Sequence, residues 1–116
     1  MRWPTSLRQR AFQFALATLG LHDRLAATGP VYADMARQLC RAASSIGALL
    51  EEGDVAASRR DMGAKHAIAL REAKEAAYWL RLFLAGGVQS PELKPLLDEA
   101  QQFVAMLTVS VKRLRG

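Results

Sequence analysis

The sequence predicts an all-α fold: an antiparallel up-down-up-down bundle of four helices, spanning residues 1–116 as one domain. Composition is the first reason. Ala, Leu, Arg and Glu dominate and are good helix formers, while Val, Ile, Thr and Tyr are too few to build a sheet. The second is periodicity, because apolar residues recur at three- and four-residue spacing through four long stretches. The third is punctuation. Thr28-Gly29-Pro30, Gly53-Asp54 and Gly86-Gly87 leave only short links. Short links set successive helices side by side and antiparallel.

The first helix is expected over about 6–26, capped by Thr5 or Ser6, with Phe12, Leu16, Leu19 and Ala26 on its buried face. The second is expected over about 31–52 and organises the rest. Its apolar stripe is Tyr32, Met35, Leu39, Ala43, Ile46 and Leu50. Ala42, Ala43, Ser44, Ser45, Gly47 and Ala48 keep its middle thin, so neighbouring helices can come close. Gly53 and Asp54 should end it.

The third helix is expected over about 58–85, opened by Ser58 or Asp61. One stripe is Ala69, Ala73, Ala76, Leu80 and Phe83; another carries Ile68, Trp79 and Leu82, with Glu72 and Glu75 between them. Gly86-Gly87 should stop it. The fourth is expected over about 91–114, with Ser90 as cap, Pro91 at the first position and Glu92 favourable at that positive end. Its core face is Leu93, Leu96, Ala100, Phe103 or Val104, Leu107, Val111 and Leu114.

The net charge is +5, and the isoelectric point is near 10.0. That balance suits a nucleic-acid or acidic partner, and it also suits an ordinary solvated helical protein. No run of five like charges forms a basic tail. Cys40 is the one cysteine, so no disulfide can form within the chain, which fits a reducing cytoplasm. MRWPTSLRQR lacks an apolar segment, so no signal peptide is expected. The longest apolar stretch, 76–88, is broken by Arg81 and Gly86-Gly87 and is too short to span a bilayer, so no membrane partner is expected.

QLCRAASSIGALLEEG (38–53), Ser58-Arg59-Arg60-Asp61-Met62 and IALREAKEAAYWLRL (68–82) follow one another in a particular order. With the loop between them, they resemble the four-helix-bundle family named for proteins encoded in intervening sequences of 23S ribosomal RNA. That family includes the accessory variability determinant proteins of diversity-generating retroelements. The resemblance covers about half the chain directly; the first and fourth helices match in pattern. It implies a protomer that forms a ring oligomer, often a homopentamer. For some members it also implies a basic surface that engages nucleic acid and a reverse transcriptase. Many relatives carry Asn where this chain has Leu49, so a role that depends on that amide does not carry over.

No catalytic constellation is evident, and no enzyme activity or cofactor is expected. Cys40 reads as an inert, buried thiol, with Arg37 and Arg41 its only nearby cations in sequence. His22 and His66 lack ligands at metal spacing, so no metal site is expected. Glu51, Glu52 and Asp54 read as a solvated turn, offset by Arg59 or Arg60. Glu72 and Glu75 read as structural partners of Arg37 and Arg41, with Arg41–Glu75 the expected ion pair. Tyr78 and Trp79 point about 100° apart, suited to core or subunit contact more than to base stacking.

Two function classes remain. One is a non-enzymatic oligomeric module that associates with RNA or DNA, accessory to a reverse transcriptase in a retroelement. The other is a structural or protein-interaction module. For the first, the bundle topology gathers Arg2, Arg8, Arg10, Arg59, Arg60, Lys112, Arg113 and Arg115 at one end, with Glu51, Glu52, Asp54 and Asp61. Eight cations less four anions leaves +4 of the total +5 there, an expected nucleic-acid interface.

Overall fold

The computed structural model describes residues 6–115, among which four α-helices follow one another without a strand. They are α1 Leu7–Ala26, α2 Pro30–Asp54, α3 Arg59–Ala85 and α4 Leu93–Arg115. Successive helices pack together, and α1 closes on α4 through side chains. Arg8 near the start of α1 meets Glu51 and Asp54 at the end of α2. Lys65 early in α3 meets Glu52, and Arg59 donates to the Arg113 carbonyl late in α4. Neighbouring helices therefore run antiparallel.

Local chemistry sets the helix ends. The hydroxyls of Ser6 and Ser58 accept the amides of Gln9 (3.0 Å) and Asp61 (3.1 Å), each satisfying a free N–H of the first turn. Thr5, the alternative cap of α1, lies outside the described residues. Pro30 opens α2, its fixed φ and missing N–H both suited to the first position. At the end of α3 the Gly86 amide donates to the Leu82 carbonyl (2.8 Å), and Gly87 turns the chain at φ +83°, a left-handed conformation that glycine adopts without strain.

Two of the expected helix ends fall elsewhere. Gly53 does not end α2; it lies buried in the last turn. A Cβ there would stand 3.2–3.3 Å from the His66 ring, so the glycine serves the close approach of α3. At the start of α4, Pro91 and Glu92 form a turn before the helix begins at Leu93. The Ser90 hydroxyl donates to the Glu92 carboxylate (2.8 Å) instead of capping an amide. Glu92 holds the helix start, where its carbonyl accepts the Leu96 amide. Hydrogen bonds from Arg24, then from Ser90, bring its carboxyl down to about 2.

The core joins all four helices. α2 contributes Leu39, Ala43, Ile46 and Leu50 with Ala36 and Ala42, while Tyr32 and Met35 are half-buried against it. α3 contributes Ala69, Ala73, Ala76, Leu80 and Phe83. In α4 it is Phe103 that enters fully, with Val104 half-buried beside it and Val111 and Leu114 at the margin. Phe14 of α1 meets Phe103 edge to face at 5.4 Å, and Tyr32 stacks on Phe83 at 6.0 Å.

The buried face of α1 differs from the expected one. Ala11, Phe14, Thr18, Leu21 and Leu25 enter the core. Phe12, Leu16 and Leu19 are 63%, 53% and 56% exposed, and Ala26 is half-buried. α1 carries two stripes at helical spacing and the core admits one. Thr18 disguised the buried stripe, and its hydroxyl is satisfied by the Ala15 carbonyl (2.8 Å).

Between α2 and α3, Arg41 forks to Glu75 (2.7 Å) and Glu72 (3.2 Å), and the Trp79 indole N–H donates to Glu75 (3.0 Å). Arg37 turns instead to Asp34 on its own helix. Burial would raise the Glu75 carboxyl, but hydrogen bonds from Trp79 and Arg41 outweigh it and hold the group below the ordinary range. The Arg41–Glu75 pair is partly exposed, so solvent screens it. Ile68 and Leu82 on the same helix lie at the surface.

Three outcomes follow from this packing. Glu75→Ala should cost about 1 kcal/mol in denaturant unfolding, the scale of a screened pair plus one indole hydrogen bond; a loss of several kcal/mol would mean a desolvated pair. Gly53→Ala should lower stability by about 1 kcal/mol despite its better helix propensity, because the ring it crowds is held by Ser110. The third is a pH dependence. Burial pushes the His66 imidazole below its ordinary 6.5. In the window below 6.5 the unfolded chain therefore binds more protons than the folded one, and stability is lost as pH falls. Melting temperature should drop through that window, and His66→Asn should remove that part of the slope.

Candidate nucleic-acid interface

The start of α1, the end of α2, the start of α3 and the end of α4 meet at one end of the bundle. The tightest junction there joins α3 to α4. Gly63 is buried with the Leu114 Cβ only 3.1 Å from where its own Cβ would stand. The Arg59 guanidinium donates to the Arg113 carbonyl (2.9 Å), satisfying a free carbonyl of the last turn of α4. His66 Nδ1 lies 2.6 Å from Ser110 Oγ and ties the same two helices. These contacts hold Arg59 and Arg60 beside Lys112, Arg113 and Arg115.

The eight cations expected at this end divide into distinct groups. Arg2 lies outside the described residues. Arg10 is drawn into an internal pair with Glu99 of α4, through Nη2 at 2.6 Å and Nε at 3.1 Å. Its side chain is 24% exposed and that of Glu99 28%, and its guanidinium lies 5.8 Å from the Phe103 ring centre. The hydrogen bonds to Glu99 raise the Arg10 pKa further above its ordinary value. Arg10 therefore stitches α1 to α4 and is not presented to a ligand. Arg8 is held by Glu51 (3.2 Å) and Asp54 (3.4 Å).

This corrects the expected partners of the acidic turn. Glu51 and Asp54 are offset by Arg8, and Glu52 by Lys65 (2.8 Å), not by Arg59 or Arg60. The basic pair at the start of α3 is left to the surface. Among the described residues, Arg59, Arg60, Lys112, Arg113 and Arg115 are exposed and form no ion pair. Asp61 is the exposed, unpaired carboxylate beside them, so five cations less one anion leaves +4. Arg and Lys on long stems suit phosphate oxygens.

The remaining candidates resolve structurally. Cys40 is half-buried, its Sγ 3.4 Å from the Thr18 carbonyl. Burial pushes its thiol pKa up, away from a reactive thiolate. His22 sits on Asp23 (3.0 Å) and His66 on Ser110, far from one another in the fold. Among the described residues, no three His, Cys, Asp or Glu side chains come together as metal ligands. Tyr78 and Trp79 meet edge to face at 5.4 Å, with Tyr78 exposed and Trp79 half-buried. Leu49 is half-buried against the core. No helix is long and apolar enough to cross a membrane among the described residues.

Sequence reading missed the sorting of cations into held and free. Glu99 was the available signal. Less than two turns into α4 and one turn before Phe103, it stands where an antiparallel α1 brings Arg10.

Comparison with known proteins fits this architecture. A family model described as 23S rRNA-intervening sequence protein matches residues 5–109. A crystal structure of a protein of unknown function from the S23 ribosomal protein family of Bacteroides thetaiotaomicron is similar at a TM-score of 0.81 and 28% identity. The match covers 92% of this chain and 99% of that one. No curated protein matches. With the four helices in the same order over nearly the whole chain, this protein belongs to the 23S rRNA-intervening sequence protein family.

Proposed function

We propose that this protein is a non-enzymatic, self-associating cytoplasmic module that holds RNA or DNA by its phosphates. One observation carries the reading: Arg59, Arg60, Lys112, Arg113 and Arg115 stand exposed at one end with no carboxylate partner among the described residues. Other cations are used within the fold, as Arg10 is on Glu99 and Arg41 on Glu72 and Glu75, while Arg71, Lys74 and Arg81 lie exposed farther along α3. Association of several copies repeats the basic end and multiplies its field. The ring of five and a reverse-transcriptase partner rest on resemblance to the accessory variability determinant proteins.

An interaction-only module is the second reading, favoured by the exposed apolar face of α1. A filter-binding titration against salt separates the two. Wild-type protein should bind RNA and DNA with little sequence preference, and log K should fall linearly with log salt. Arg59→Ala/Arg60→Ala should flatten that slope by about 2, and truncation after Val111 by about 3. Arg24→Ala, at the opposite end on Glu92, should leave it unchanged. Equal binding by all four chains, or no binding by wild type at low salt, would replace this reading with the interaction module.

A further inference from the structure

The outer face of α3 carries a second set of free cations. Arg71, Lys74 and Arg81 are exposed and, among the described residues, form no ion pair. With Arg60 and Tyr78 they fall within one arc of the helix about 80° wide. That arc holds no carboxylate. On its flanks the carboxylates are already answered, Glu72 and Glu75 by Arg41 of α2 and Asp98 of α4 by Lys94. From Arg60 to Arg81 the stripe runs about 32 Å along the helix and leads away from the basic end.

Tyr78 stands within this stripe, with Lys74 one turn before it and Arg81 one turn after. It is 50% exposed, and its hydroxyl makes no hydrogen bond among the described residues. The half-buried Trp79 steadies the ring. The two meet edge to face at 5.4 Å, and the Trp79 indole N–H is itself tied to Glu75 at 3.0 Å. A surface that only neutralised phosphates would have no use for a fixed, exposed aromatic among its cations.

We propose that the outer face of α3 is a track for single-stranded RNA or DNA, on which Tyr78 stacks an unpaired base while Arg71, Lys74 and Arg81 hold the flanking phosphates. It rests on the nucleic-acid reading and deepens it by naming the strand class. Lys74 and Arg81 each lie about 5 Å from Tyr78 along the axis, so a base on the ring leaves its neighbouring phosphates within reach of both stems. An unpaired base offers its π-face to an aromatic ring, whereas a base inside a duplex is covered above and below by its neighbours. Stacking accepts any base, in keeping with binding that has little sequence preference. A second copy pairing through the same face would set cations against cations.

Fluorescence anisotropy of the full chain tests the track, with a mixed-sequence 20-nucleotide single strand, as RNA and as DNA, and the blunt DNA duplex of the same sequence as probes. Tyr78→Ala should weaken single-strand binding on the order of tenfold, the scale of one lost stack, with the salt slope unchanged. Its duplex affinity should stay within about twofold of wild type. Tyr78→Phe, which keeps the ring, should bind single strands as wild type does. Arg71→Ala/Lys74→Ala/Arg81→Ala should flatten the single-strand salt slope by about 2. Single-strand binding untouched by Tyr78→Ala, equal losses on single strand and duplex, a Tyr78→Phe loss as large as that of Tyr78→Ala, or an unchanged slope in the triple variant would each overturn the track. Any of these, with Arg59→Ala/Arg60→Ala still flattening the slope, leaves the basic end standing without the track; a wild type that binds no probe at low salt overturns both.

Discussion

Everything in this bundle depends on how closely α2 and α3 approach. Their buried faces are built largely of alanine, with Ala36, Ala42 and Ala43 on α2 and Ala69, Ala73, Ala76 and Ala77 on α3. Alanine loses no side-chain entropy in a helix and holds the backbones near each other. Near their ends the same economy appears as glycine, where Gly53 passes the His66 ring and Gly63 passes Leu114. The volume of the core then comes from larger groups on the flanks, chiefly Phe83, Phe103, Leu39 and Ile46. Close packing of this kind tolerates little change of volume.

Because α2 and α3 lie close, their polar edges meet as well. Arg41 reaches two carboxylates on α3, and Lys65 reaches back to Glu52. The wider gap between α1 and α4 needs longer bridges. There Phe14 meets Phe103, Arg10 forks to Glu99, and Arg24 reaches Glu92. The bundle is thus stitched along every seam by groups that would otherwise be surface charge. Of the cations left over, Arg59, Arg60, Lys112, Arg113 and Arg115 collect where α3 begins and α4 ends. Net charge alone is a poor guide to such a patch, because it counts held and free groups alike.

α1 shows how far an apolar pattern underdetermines burial. Phe12, Leu16 and Leu19 form the more hydrophobic stripe, yet the core takes the stripe containing Ala11 and Thr18. A hydroxyl inside a helix can bond back to a carbonyl, so Thr18 is compatible with a dry site. The three large residues are then surplus to the subunit. Exposed apolar patches of this kind are uncommon on monomers and mark contact surfaces.

The sequence by itself determined the four helices and the serine caps of α1 and α3, because these rest on local propensity and on hydrogen bonds within a few residues. It also determined the buried stripe of α3, where alanines in strict register admit one reading. Only the tertiary structure decided which stripe of α1 turns inward, since two faces of similar spacing compete and the winner depends on what α2 and α4 present. It alone decided that Gly53 is a point of close approach and not a stop, because that depends on where His66 falls across the helix pair. The same holds for Arg10, whose partner lies 89 residues away. Pairings that distant are set by how helices dock, and no local pattern records them.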